Sequence, residues 1–125
     1  MPFDHVVDHV SRLVVARGTG EGSLEDVSDS ARRLLEDPSI GTDYRLMIVA
    51  DDTELDLTTE EALSIVSILG AVRSRFRSRI AIVTSRPDRI TTAYLVAFAA
   101  DRGSGNVQSF ISEGEARAWL LATPL

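Results

Sequence analysis

Residues 44–50 read Tyr-Arg-Leu-Met-Ile-Val-Ala, a nearly continuous apolar run. That is the pattern of a strand buried on both faces, which needs helices above and below a mainly parallel sheet. The rest of the chain alternates accordingly. Val6 to Val10 and Leu13 to Ala16 are rich in β-branched residues, with Ser11 and Arg12 between them, predicting a strand, a turn and a second strand. Gly18, Gly20 and Gly22 then break the chain. Ser23 caps a first helix, in which Leu24, Val27, Ala31, Leu34 and Leu35 recur at helical spacing until Asp37-Pro38 stops it. Beyond the 44–50 strand, residues 51–56 read as a polar loop. Thr58 opens a second helix through a capping box with Glu61, and Ala62, Ile65, Val66, Leu69, Val72 and Phe76 form one apolar stripe. Ile80 to Val83 is the next buried strand. A third helix starts at Asp88 or Thr91 and stays apolar through Ala100. Val107 to Ile111 is a fifth strand, and Ser112 with Glu115 caps a last helix carrying Ala116, Ala118, Trp119 and Leu120.

The order is therefore β-β-α-β-α-β-α-β-α. The fold class it predicts is α/β, a mainly parallel five-stranded sheet with an antiparallel first strand and four helices, the later strands neighbouring in chain order. No linker, repeat or low-complexity tract divides the chain, so residues 1–125 read as one domain.

Composition excludes several function classes. There is no cysteine, which removes disulfides, thiolate catalysis and cysteine-ligated zinc and leaves the redox compartment open. All 13 basic residues are arginine, so chemistry that depends on lysine is excluded. Net charge is −6, which disfavours nucleic acid as a partner. The charge is uneven: residues 1–72 hold five arginines against fifteen acids, residues 73–125 eight against four. One small domain mixes such segments in space. No apolar run reaches the length of a membrane helix, and the N-terminus lacks a signal-peptide pattern, so the expected location is cytoplasmic.

Four constellations bear on chemistry. Gly18-Thr19-Gly20-Glu21-Gly22 lies between a strand and a helix, but its spacing is not G-x-G-x-x-G, and Glu21 would oppose a phosphate. Asp51-Asp52 ends a buried strand, where paired carboxylates bind magnesium or accept a phosphoryl group. The plainer reading is solvated loop acids near a helix N-terminus. His5 and His9 would stand about 13 Å apart on a strand, too far for one metal ion, and read as exposed edge-strand residues. Arg73, Arg75, Arg77 and Arg79 alternate from the end of the second helix toward the next strand. They read either as a site for phosphate or an anionic membrane surface, or as local charges suited to a helix C-terminus. No nucleophile–base pair, lysine or metal cluster emerges, so neither catalytic residue, cofactor nor metal is expected. The third helix lacks a broad polar face and must be covered by more than its own sheet. Ile90, Tyr94, Ala97 and Phe98 are its candidate contacts, toward neighbouring helices, a second copy of the chain, or a lipid or other apolar ligand.

Four segments, LEDPSIGTDYRLMIVADDTELDLTTEE, RIAIVTS, TTAYLVAFAA and VQSFISEGEARAWL, carry a resemblance over almost the whole chain. It is to the STAS superfamily of sulfate-transporter and anti-sigma-factor-antagonist domains, and more closely to the bacterial branch likened to the Sec14/CRAL-TRIO lipid-transfer fold. The resemblance implies a STAS-like βα superhelix. Together with the missing catalytic groups and the apolar third helix, it points to a non-enzymatic binding or regulatory module acting through protein–protein contact, self-association included; small apolar ligand or lipid binding is the alternative. A magnesium-dependent enzyme using Asp51 and Asp52 is a third, more distant reading. Anti-sigma antagonists place a phosphorylatable Ser or Thr before the second helix in an Asp-Ser-Ser-Gly-like turn. Here residues 56–61 read Asp-Leu-Thr-Thr-Glu-Glu, without that glycine, and Thr58 or Thr59 stands at the regulatory position. Relatives in the branch often have Tyr-Gly and Ala-Arg in the third helix, where this chain has Ala93-Tyr94-Leu95-Val96.

Overall fold

The structure, a computed structural model, describes residues 3–54, 58–76 and 79–122, and of Thr53, Glu54 and Thr59 the backbone only. Its elements are β1 (Phe3–Asp8), β2 (Leu13–Glu21), α1 (Leu24–Glu36), β3 (Arg45–Glu54), α2 (Thr59–Arg75), β4 (Ile80–Val83), α3 (Ile90–Asp101), β5 (Val107–Phe110) and α4 (Glu113–Leu121). They form the α/β fold expected. One five-stranded sheet has the order β1-β2-β3-β4-β5, with β1 antiparallel to β2 and every other pair parallel.

Alternation along the strands divides the core in two. Val14, Ala16, Leu46, Ile80, Ile82 and Val107 point to one face and pack with Ala31 and Leu34 of α1, Leu69, Val72 and Phe76 at α2, and Ala97 and Ala100 of α3. Leu13, Met47, Val49, Ala81 and Val83 point to the other face and pack with Ala116 and Leu120 of α4, with Val15, Phe110 and Trp119 at the margin. Among the described residues three helices thus cover one face and one helix the other. This is why β4 has no polar position: all four of its residues are buried.

The helix starts follow their caps. The Ser23 side chain accepts from the Asp26 amide and the Asp26 carboxylate reaches back to the Ser23 amide, a full capping box. Thr58 and Glu61 do the same for α2. At α4 the box is half formed, Ser112 accepting from the Glu115 amide without a return bond.

Three local expectations are corrected. The glycine tract does not break the chain after β2: Thr19, Gly20 and Glu21 stay in the sheet, paired with Asp52, Thr53 and Glu54 after a register shift between Arg17 and Thr19. The extended end of β3 offers these residues a partner, and pairing overrides glycine's weak strand preference. Gly20 uses its freedom there, with φ of +73°. For the same reason Asp51 and Asp52 belong to β3 and not to a loop. Finally, neither Asp88 nor Thr91 starts α3. Its N-cap is Arg89, without a side-chain cap, and the entry is a backbone turn in which the Arg89 and Ile90 amides donate to the Arg86 carbonyl.

Phe76 closes the apolar stripe of α2 and is among the largest fully buried side chains. Phe76→Ala is expected to lower unfolding free energy by about 3–5 kcal/mol, read as a drop in the urea midpoint.

Candidate functional site

A cluster of large apolar side chains that the fold leaves exposed lies on α3. Ala93, Val96, Ala97 and Ala100 turn toward the sheet and α2, while Tyr94, Leu95 and Phe98 are 60%, 58% and 71% exposed, with Ile90 at their N-terminal end. Ile90, Tyr94 and Phe98 follow one another at four-residue spacing and form one ridge. Ala97 was expected with them and is corrected here. It is 2% exposed, because three and four residues separate it from the core-facing Ala100 and Ala93. Leu95, and Leu63 on α2 at 64% exposure, join the exposed apolar set. Leu63 falls outside the stripe that marks the core, so helical spacing alone places it at the surface.

Two depressions flank this ridge. A cleft of about 200 Å³ at the carboxyl ends of β4 and β5 is lined by Thr84, Ile90, Ala93, Phe110, Ile111 and Glu115. A longer open groove of about 630 Å³ runs between α2 and α3, past Ser67, Gly70 and Ala99 to Arg73 and Arg102. Strand order never reverses in this sheet, so the crevice that doubly wound folds open at a reversal is not formed.

The charged candidates are placed apart. Arg75 donates to the Asp37 carbonyl at 3.0 Å and to the Ile40 carbonyl, tying α2 to the loop after α1. Arg79 turns to the opposite face, where it donates to the Trp119 carbonyl and lies 5.1 Å from the Trp119 ring centre. Arg73 borders the α2–α3 groove, and Arg77 lies outside the described residues. The described members of the row therefore do not form one anion surface.

Asp51 is engaged as well. Its carboxylate accepts from the Ser85 amide at 2.6 Å and the Ser85 hydroxyl at 3.2 Å, joining the ends of β3 and β4, so the plain reading of a solvated loop acid is corrected. Among the described residues no group of three or more His, Asp and Glu could hold a metal ion. His5 is not an exposed edge residue. Its Nε2 donates to Asp37 at 2.9 Å and only 17% of its side chain is accessible. His9 reaches the Tyr44 hydroxyl at 2.7 Å. Arg17 and Glu113 form a two-bond ion pair at 2.8 and 3.0 Å, linking the sheet to the start of α4.

Thr58 is exposed and its hydroxyl oxygen accepts from the Glu61 amide at 3.2 Å, so the regulatory candidate serves as a cap. Thr59 begins α2, and its side chain lies outside the described residues. Among the described residues no helix is long and apolar enough to cross a membrane. No family model matches the chain, and no curated protein matches it.

Thr58→Ala is expected to cost about 1 kcal/mol by chemical denaturation, and Thr58→Asp to recover most of it because aspartate caps equally well. A second expectation concerns acid. Hydrogen bonds from His5 first, then Ser39, hold the Asp37 carboxyl down at about 2. At Asp101 partial burial works upward, but bonds from Ser104, Gly105, Val107 and Asn106 outweigh it and also leave the carboxyl at about 2. Both values lie below the unfolded carboxylate value, so their contribution is complete above about pH 4 and is lost as pH falls toward about 2. Urea midpoints followed through that window should fall. Asp101→Asn, which no longer titrates, should start lower at neutral pH and decline less steeply.

Proposed function

We propose that this chain is a non-enzymatic binding module that works through protein–protein contact, including contact with itself, and that α3 presents the contact surface. The observation that carries this reading is the exposure of Tyr94, Leu95 and Phe98 side by side on one helix face, with Leu63 exposed on α2. Each large apolar side chain moved from water into an interface contributes about 1.5–3 kcal/mol. A contiguous cluster of this kind marks an interaction surface where a single exposed leucine does not. The resemblance to STAS domains points to the same class of function.

A lipid or other apolar ligand is the alternative. The apolar cleft under Ile90 and Ile111 is the place for it, but its volume of about 200 Å³ lies below the roughly 300–1,000 Å³ common for small-molecule pockets. Catalysis by Asp51 and Asp52 has less support, since Ser85 occupies both oxygens of Asp51.

Light scattering combined with native mass spectrometry tests the choice. A mass above that of one chain, reduced to one chain by Phe98→Arg, is the expected result. A strict monomer overturns self-association, and a co-purified acyl-chain ligand on that monomer moves the protein to the lipid-binding class.

A further inference from the structure

The two walls of the α2–α3 groove share one layout. On α2, Glu60, Leu63, Ser67, Gly70 and Ser74 recur at intervals of three and four residues and so lie along one face. Ser67, Gly70 and Ser74 line the groove, so Leu63 and Glu60 continue its wall toward the N-terminus of α2. On α3, Ala99 and Arg102 line the groove, and Leu95, four residues before Ala99, continues that wall in the same direction. Each wall therefore has a large exposed apolar residue in its N-terminal half. A small residue follows, and an arginine stands at the end. Both helices leave the same edge of a parallel sheet, so they run the same way.

Gly70 is costly where it stands. Glycine inside a helix is destabilising by about 0.5–1 kcal/mol relative to alanine. Nothing among the described residues demands it: a Cβ added at Gly70 would meet none of their atoms within 4 Å. The space above it is left open, with Leu63 standing two turns away. Charge follows the same axis. Glu60 is in the first turn of α2 and Arg73 in the last, and neither has a side-chain partner among the described residues. The pairs Glu60 with Arg73 and Leu63 with Gly70 have the same midpoint in sequence, between Val66 and Ser67.

We propose that the α2–α3 face is where two copies of this chain meet, across a two-fold axis perpendicular to the helices at the level of Val66 and Ser67. In that arrangement α2 lies antiparallel to the α2 of its partner. Leu63 enters the groove over the partner's Gly70, and Glu60 pairs with the partner's Arg73, each contact occurring twice as an isologous interface requires. Tyr94, Leu95 and Phe98 of the two copies then face each other beside the axis. The inference rests on the reading of this face as a protein-contact surface and adds the partner and the register.

The test is a charge exchange read by sedimentation velocity over a concentration series, with circular dichroism to confirm that each variant is folded. Glu60→Arg and Arg73→Glu should each raise the dimer dissociation constant about tenfold or more, and the double variant should return to within about threefold of the wild type. Gly70→Leu, whose Cβ meets no atom within 4 Å and whose side chain extends into the groove, should abolish the dimer and keep the helical spectrum. A strictly monomeric wild type overturns the proposal, as does a double variant no better than the worse single one. A dimer that ignores Gly70→Leu and both charge variants but is lost in Phe98→Arg overturns the groove register and leaves α3 as the contact surface.

Discussion

Strand β3 lies between β2 and β4 with Leu46 turned toward α1, α2 and α3, and with Met47 and Val49 turned toward α4; the other elements lie where they keep water from one of these two faces. A strand buried on both sides leaves no surface for polar residues, and its neighbours must be parallel strands whose return paths carry helices. The connections from β2 to β3, β3 to β4 and β4 to β5 all place their helix on the same face. Among the described residues the opposite face is left to α4, which reaches it after the last strand.

The unequal cover explains the use of charge. Groups that look available for chemistry are engaged in fastening loops to the layered core. Asp51 holds the end of β4 through Ser85, and Asp101 accepts four bonds from the turn that leads from α3 into β5. An aspartate at a helix C-terminus opposes the helix dipole, and here the four donors more than offset that. Arg75 and Arg79 each reach backbone carbonyls on a different face of the sheet. Guanidinium suits this work, with a fork of several donors on a stem that packs against apolar atoms. A chain without lysine thus uses its arginines partly as structural ties.

The proposed contact surface is one that no described element covers. Helix α3 stands over the β4–β5 end of the sheet and packs beside α2, and Tyr94 and Phe98 of its outward ridge stay exposed among the described residues. The groove beside that ridge is open because Gly70 and Ala99 are small, and it ends at arginines because both helices finish there. The proposed self-contact rests on these apolar side chains and on the groove beside them.

Periodicity in the sequence determined the element order, the antiparallel start and the parallel remainder, because apolar spacing reports which residues must leave water. Capping at Ser23 was legible, and at Thr58 the full box with Glu61, since a cap and its return acid lie three residues apart in the chain. The extension of β2 through its glycines was not legible: Thr19 to Glu21 are strand only because Asp52 to Glu54 lie alongside to accept and donate. The α3 ridge was legible in Ile90, Tyr94 and Phe98, but a helix with apolar residues on all sides does not say which face its neighbours take. Packing decided that Ala97 is core and Leu95 is surface. The arginine row and Asp51 looked like candidate sites in one dimension, and only the tertiary structure showed carbonyls and Ser85 within reach. Local spacing fixes what a residue can do with its near neighbours, whereas the use of a long charged side chain depends on which distant segment the fold brings to its tip.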